Sequence, residues 1–263
     1  MLRIRTILTL FVAATVASGA ATTSGAEMSR NPLREITVGP SNADVVGNTG
    51  RAIKIAIDAL AQRGVPVFNA PGANANAVKE LVLAGLWLGA RNICQSWQYV
   101  RELEGDDQTV TKAVEAGKKK YAGFELPGRT LGVIGLGAIG VEVANAALAL
   151  GMRVIGFDPA MTVERAWQMS SGVEKAASLD HLFSQADFVT VHVPLIDATR
   201  NLVNADRLAL MKNGAILLNF ARGGIVDEAA LAEAVASGRV AGAALDVFAE
   251  EPLASSPLFD LPQ

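Results

Sequence analysis

Thr130-Leu-Gly-Val-Ile-Gly135-Leu-Gly137-Ala-Ile-Gly140 runs an apolar strand straight into a glycine turn and from there into an apolar-periodic helix. That order decides the fold. Leu131, Val133 and Ile134 make a strand with no wet face, and Ile139, Val143, Ala146, Ala147 and Leu150 recur on one side of the helix that follows. Between them Gly135 permits the tight turn, Gly137 lets the backbone approach a ligand without a Cβ in the way, and Gly140 lets the helix close on the strand. A helix that starts there offers unpaired N–H groups and the positive end of its dipole to an anion, which suits a dinucleotide pyrophosphate. A second strand, Met152 to Phe157, ends in Asp158, 18 residues beyond Gly140. A carboxylate at that place can accept from both ribose hydroxyls and repels a 2′-phosphate, so it favours NAD over NADP.

Working outward, strand and helix signals alternate from Thr130 onward with the short period of an α/β fold, a doubly wound parallel sheet of the Rossmann kind. Helices are expected around Val163 to Met169, Leu179 to Phe183, Ala205 to Met211 and Glu228 to Ala236. Strands are expected over Phe188 to Val193, closed by Pro194, and over Ala215 to Phe220 and Ala241 to Phe248. Loops at the carboxyl ends of such strands gather along one edge. That edge collects Asp158, the Val193-Pro194 turn, Ala221-Arg222-Gly223-Gly224, and Asp246 through Glu251. Arg222, held at a strand end before two glycines, presents a planar fork of donors that suits the carboxylate and adjacent carbonyl of a small 2-oxo or 2-hydroxy acid. Glu250 and Glu251 can point back to the same edge.

Upstream the pattern is looser. Ser29 to Thr49 is rich in Pro, Gly and Asn and reads as irregular connection; Arg51 to Gln62 reads as a helix stopped by Gly64, before a short strand over Val65 to Asn69. Pro71-Gly72 turns the chain, Asn74 or Asn76 can cap the next helix, and Val78, Leu81, Val82, Gly85, Leu86 and Gly89 share a face of it. Trp87, Trp97 and Tyr99 read as packing or subunit contacts. At the start, Arg3 and Arg5 precede an uncharged run from Thr6 to Ala26, apolar in its first part and ending in small residues. This is the grammar of a signal peptide, with a transit peptide or a segment foreign to the domain behind it as the competing readings. Export would separate a nicotinamide-dependent reaction from the main cofactor pool, so the cytoplasm is the expected compartment. The expected organisation is residues 1–26 as that signal-like or non-native segment, 27–97 as a partial α/β substrate domain with an interdomain helix, and 98–263 as the dinucleotide-binding domain.

Composition narrows the classes of function. A net charge of −3 without a broad basic excess argues against nucleic acid as the main partner. One cysteine, Cys94, and two histidines, His181 and His192, exclude an intrachain disulfide, a cysteine metal cluster and a histidine-rich metal site. Hydrophobic residues are 51% of the chain and aromatic residues only 5%, so the core is built of Ala, Val, Leu and Ile, as suits a parallel sheet covered on both faces.

Leu131 to Gly140, His192-Val-Pro194, Asn219-Phe-Ala-Arg222-Gly-Gly-Ile-Val-Asp227 and Leu245-Asp-Val-Phe-Ala-Glu-Glu251-Pro, met in this order, resemble the D-isomer-specific 2-hydroxyacid dehydrogenases. Phe68 to Leu81 and Tyr121 to Gly132 are most similar to the family members that oxidise D-3-phosphoglycerate. The resemblance implies NAD as cofactor, in contact with Ala138, Ile139, Asp158, Phe220 and Ala221 besides the glycine turn, with Val193, Pro194, Arg222 and Asp246 beside it. It implies that Arg222 binds and polarises the substrate carboxylate and carbonyl, that Glu251 orients a histidine and keeps it basic, and that Asn74 lies in a substrate-facing loop. It also suggests a homodimer formed through the NAD domain. In the family the basic histidine follows the Glu-Pro motif by some twenty or more residues, and the sequence given ends at Gln263. Neither His181, expected on a helix surface, nor His192, expected to line the cofactor or serve structure, fits that role. Turnover is therefore expected to be impaired, by roughly 10² to 10⁴-fold, the usual contribution of a general base.

Overall fold

The computed structural model describes residues 72–250 throughout, with 38–39, 45–46, 57–58, 60–62, 64, 255–259 and 261. The leader-like run over residues 6–26, the strand expected at 65–69, and Glu251 lie outside the described residues. The chain divides into two units, residues 1–68 and 69–263. In the first, β1 (Val38–Gly39) pairs in parallel with β2 (Val45–Val46). They fall where the sequence reads as irregular connection, because two residues per strand are too few to leave an alternation. Residues 57–58 and 60–62 are helical (α1), and the stop expected at Gly64 is there: its φ is 69° and its N–H donates to the Ala61 carbonyl at 3.0 Å.

The second unit opens with α2 (Ala75–Arg91), α3 (Ile93–Arg101) and α4 (Asp107–Gly117). Asn92, left-handed at φ 49°, separates the first two, a conformation its side chain tolerates. Alternation then begins with β3 (Thr130–Ile134), α5 (Ala138–Ala149), β4 (Arg153–Phe157), α6 (Val163–Gln168) and β5 (Val173–Lys175). It continues with α7 (Leu179–Gln185), β6 (Phe188–Val191), α8 (Ala205–Leu210), β7 (Ala215–Asn219), α9 (Glu228–Ala236) and β8 (Val240–Leu245). Of these, β5 is not legible in the sequence, since only three residues pair and two are exposed.

Every pairing in this sheet is parallel, and the strand order is β5-β4-β3-β6-β7-β8. The chain winds outward from β3 in one direction, returns, and winds outward from β6 in the other, which makes the gap beyond β3 and β6 the topological switch point. Strands β3, β6 and β7 are buried at every residue. Period two sorts their side chains to the two faces. Leu131, Val133, Phe188, Ile216 and Leu218 pack under Val82 and Leu86 of α2 and Val141, Ala144 and Ala147 of α5. Ile134, Val189, Val191 and Leu217 pack under Leu182 and Phe183 of α7, Leu208 of α8 and Leu231 of α9. Helix α2 reaches the sheet because it carries glycines there. A Cβ on Gly85 would stand 2.8 Å from a Leu218 methyl, and one on Gly89 3.0 Å from an Ile216 methyl.

Candidate functional site

Register alone assembles the edge. Phe157, Ile134, Val191, Asn219 and Leu245, the last residues of β4, β3, β6, β7 and β8, are successive Cα partners across the sheet. The residues that follow them, Asp158, Gly135, His192, Phe220 and Asp246, therefore leave the sheet in one row. Among the described residues, the sequence-predicted site residues of the second unit fall on this row or on the turns and first helical turn directly after it, apart from Asn74.

The glycine turn sits at the switch point. Gly135 has φ 89°, and a Cβ on it would stand 2.7 Å from the His192 carbonyl oxygen. Gly140 is tighter still, since its Cβ would lie 1.9 Å from the Gly135 carbonyl oxygen. Gly137 is different. It precedes α5 with an ordinary φ of −74°, and a Cβ added there would meet nothing within 4 Å. Two of the glycines are thus required by the fold, whereas the third keeps clear the space in front of the helix N-terminus, where Ala138 and Ile139 begin the first turn. An anion of pyrophosphate size fits that arrangement. Asp158 is tied into the same turn: one carboxylate oxygen accepts from the Leu136 N–H and the other from the Ala160 N–H, both at 2.8 Å. Each oxygen keeps a further lone pair for a ribose hydroxyl.

Beside the turn, His192 donates its backbone N–H to the Ile134 carbonyl at 2.7 Å, and Val193 packs into the core on the other side. Its Nε2 lies 3.0 Å from Thr190 Oγ1, two residues back on the same face, and its Nδ1 is buried without a hydrogen-bond partner. Burial pushes the imidazole pKa down to about 4, so the ring is neutral at physiological pH. Pro194 is exposed, directly after it. His181 lies in the exposed first turn of α7, where the Ala177 N–H donates to its Nδ1.

On the far side of the row Arg222 is exposed, and its Nη1 donates to the Ala221 carbonyl at 2.6 Å. What holds it there was not evident from its neighbours in sequence. Asn219, 2% exposed, accepts from the Ala221 N–H at 3.1 Å and donates to the Arg222 carbonyl at 2.9 Å, so one buried carboxamide templates the turn. The signal was the polar residue closing an otherwise apolar strand. Phe220 turns its ring onto Gly85 of α2, Ala221 packs into the core, and the Asp246 N–H donates to the Asn219 carbonyl. Asn74 occupies the cap position of α2, exposed and without a capping side-chain bond. The turn it belongs to touches the site through Gly72, whose Cβ would lie 3.1 Å from that of Ala138.

A cleft of about 300 Å³ lined by Trp87, Arg91, Phe124, Glu125, Leu126, Pro127 and Leu150 lies at the opposite ends of the strands, where Pro127 precedes β3 and Leu150 precedes β4. Among the described residues no cluster of His, Cys, Asp and Glu could hold a metal ion, and no helix is long and apolar enough to cross a membrane.

Comparison with known proteins agrees with this geometry. Residues 85–263 match the D-isomer specific 2-hydroxyacid dehydrogenase, NAD binding domain family. The chain is 40% identical over 239 residues to a D-3-phosphoglycerate dehydrogenase of Methanocaldococcus jannaschii, covering 90% of this chain and 42% of that protein. It is 40% identical over 212 residues to a hydroxypyruvate reductase of Thermotoga maritima, covering 80% of this chain and 64% of that protein. Its fold matches that of apo D-mandelate dehydrogenase from Rhodotorula graminis with a TM-score of 0.66 at 34% identity, over 78% of this chain and 58% of that one. The chain thus spans less than two thirds of the length of each of these proteins. With the glycine turn at the switch point, the acidic residue ending β4 and the arginine turn after β7 all in one row, the chain belongs to the D-isomer-specific 2-hydroxyacid dehydrogenases, through their NAD-binding domain.

Proposed function

We propose that this chain is the cofactor-holding part of an NAD-dependent oxidoreductase acting on the CH–OH group of a D-2-hydroxy acid. The substrate in this reading is D-3-phosphoglycerate, oxidised to 3-phosphooxypyruvate at the entry to serine biosynthesis in the cytoplasm. The observation that carries it is the placement of the Arg222 fork on the same row of strand ends as the open N-terminus of α5, with one strand, β6, between them. NAD held there would supply the acceptor for the hydride that leaves C2. Gly135, Gly137 and the α5 N-terminus hold its pyrophosphate, and Asp158 takes the ribose hydroxyls. Arg222 grips the substrate carboxylate and polarises the neighbouring oxygen, Asn74 lines the substrate side, and Glu251 orients the base that takes the hydroxyl proton. Residues 27–97 supply part of the substrate domain and the interdomain helix. A dimer forms through α2 and α3, which leave Trp87, Leu88, Ile93, Trp97 and Val100 between 40% and 59% exposed, an apolar surface unusual for a monomer.

One observation favours a second reading, a non-catalytic NAD(H)-binding sensor or partner subunit. His192 is half-buried, with Nδ1 shut away from solvent and Nε2 against Thr190 Oγ1, and His181 is occupied at the start of α7, so neither is placed as the base. A titration followed by an assay separates these readings. NADH fluorescence should rise saturably on adding the protein, and NAD reduction with D-3-phosphoglycerate should follow if a base is present. Binding without reduction of NAD by this or any small D-2-hydroxy acid favours the sensor, and absence of NADH binding overturns both.

A further inference from the structure

We propose that Glu228 is a positioning residue that fixes the loop Asp246–Glu250 against the Arg222 turn, so that the two strand-end loops act as one wall of the substrate site. The inference rests on the reading of Arg222 as the substrate-binding group. Glu228 is the first residue of α9, but the helix does not need it as a cap, because the Asp227 carboxylate already accepts from the Ala230 N–H at 3.1 Å. Its side chain instead leaves its own helix and accepts from the backbone N–H of Ala249 at 2.7 Å, 21 residues further along. From the other side Gly223 lies so close to this loop that a Cβ on it would stand 1.7 Å from the Phe248 carbonyl oxygen. The loop is held at its start as well, where the Asp246 N–H donates to the Asn219 carbonyl at 3.1 Å. Asn219 ends β7, Glu228 opens α9, and Gly223 lies in the connection between them, which also carries Arg222. Glu228 closes the far end of this clamp. Without it the Ala249 end of the loop loses its tie to the segment that carries Arg222, while the glycine turn, two strands off, is undisturbed.

A carboxylate in the first turn of a helix also favours the helix dipole, and three variants of the full chain tell the two roles apart. Glu228→Gln keeps an acceptor of the same length without charge, Glu228→Asp keeps the charge one methylene short, and Glu228→Ala keeps neither. Positioning predicts rescue by Gln and not by Asp, and a dipole role predicts the reverse. The readouts are hydrogen–deuterium exchange of the peptide spanning 246–250, the affinity of the NADH complex for oxamate as an inert 2-oxo acid, and the affinity for NADH alone. Exchange should quicken about tenfold and oxamate binding weaken about fivefold in the Ala and Asp variants, the loss expected for one hydrogen bond, with the Gln variant near wild type and NADH binding unchanged. Wild-type exchange in Glu228→Ala, rescue by Asp rather than Gln, or quickened exchange with unaltered oxamate affinity would each overturn the proposal. If the wild type binds NADH but no oxamate, the substrate reading fails, and the exchange contrast among the variants still decides whether Glu228 clamps the loop.

Discussion

The glycine turn after β3 and the Arg222 turn after β7 stand on the same row of strand ends, yet they are built in different ways. At the first, the determinants are local. Gly135 needs a left-handed φ just before the helix, and Gly140, in the helix's first turn, leaves no room for a Cβ. At the second, the determinants are remote: the Asn219 carboxamide, the passage of Gly223 under the Phe248 carbonyl, and the reach of Glu228 to Ala249. A ligand whose shape is the same in every member of a family can be met by a local motif, whereas a substrate wall is assembled from segments distant in sequence. The comparison predicts that substitutions at the first turn alter cofactor binding and those at the second alter acid binding.

The largest effect is expected from Gly140→Ala. Its Cβ would stand 1.9 Å from a backbone carbonyl that cannot swing aside, so the strand and helix must separate. Destabilisation of about 3 kcal/mol is expected, with a Tm lower by about 6–12 °C in thermal unfolding and loss of NADH binding. A variant that melts and binds like wild type would break the claim that the turn is locally determined.

His192 gives an effect of similar size, visible only in acid. In the fold burial holds the imidazole neutral down to about pH 4, whereas the unfolded chain protonates near 6.5. Between those values the unfolded state binds the extra proton, so stability is full above 6.5 and falls as the pH drops toward 4, by on the order of 3 kcal/mol. Chemical denaturation across that range should show this decline in the wild type and lose much of it in His192→Gln. Equal slopes would mean the imidazole is not held neutral beside the turn.

A smaller effect sharpens the other half of the comparison. Arg222→Lys keeps the charge and discards the planar fork, so oxamate binding to the NADH complex should weaken about tenfold while NADH affinity stays within about twofold. Equal losses of both ligands would merge the two turns into one function.

Much of this architecture was legible in the sequence, and the reasons differ between elements. Strands β3, β6 and β7 announce themselves because a strand buried on both faces is a continuous apolar run. Helix α9 was expected over Glu228 to Ala236 and is found there, since Asp227 caps it and Gly238 follows it with φ 74°. Strand β5 was not legible, because it is defined by its partner β4. Among the site residues, Asp158 was placed by counting from the glycines. Its second use, pinning the Leu136 and Ala160 N–H groups, became visible only in three dimensions. Asn219 stood at the head of the Arg222 motif and Glu228 just past its end, but what each holds lies in what it touches.

Gly137→Ala tests the central claim most directly. Unlike its neighbours Gly137 has an ordinary φ and an open space where a Cβ would go, so the fold has no use for a glycine there and only a ligand does. Thermal unfolding and NADH fluorescence titration of this one variant should show a Tm within about 2 °C of wild type and an NADH Kd raised at least tenfold, roughly. An unchanged NADH Kd in the equally stable variant would contradict the assignment of the α5 N-terminus as the seat of the cofactor.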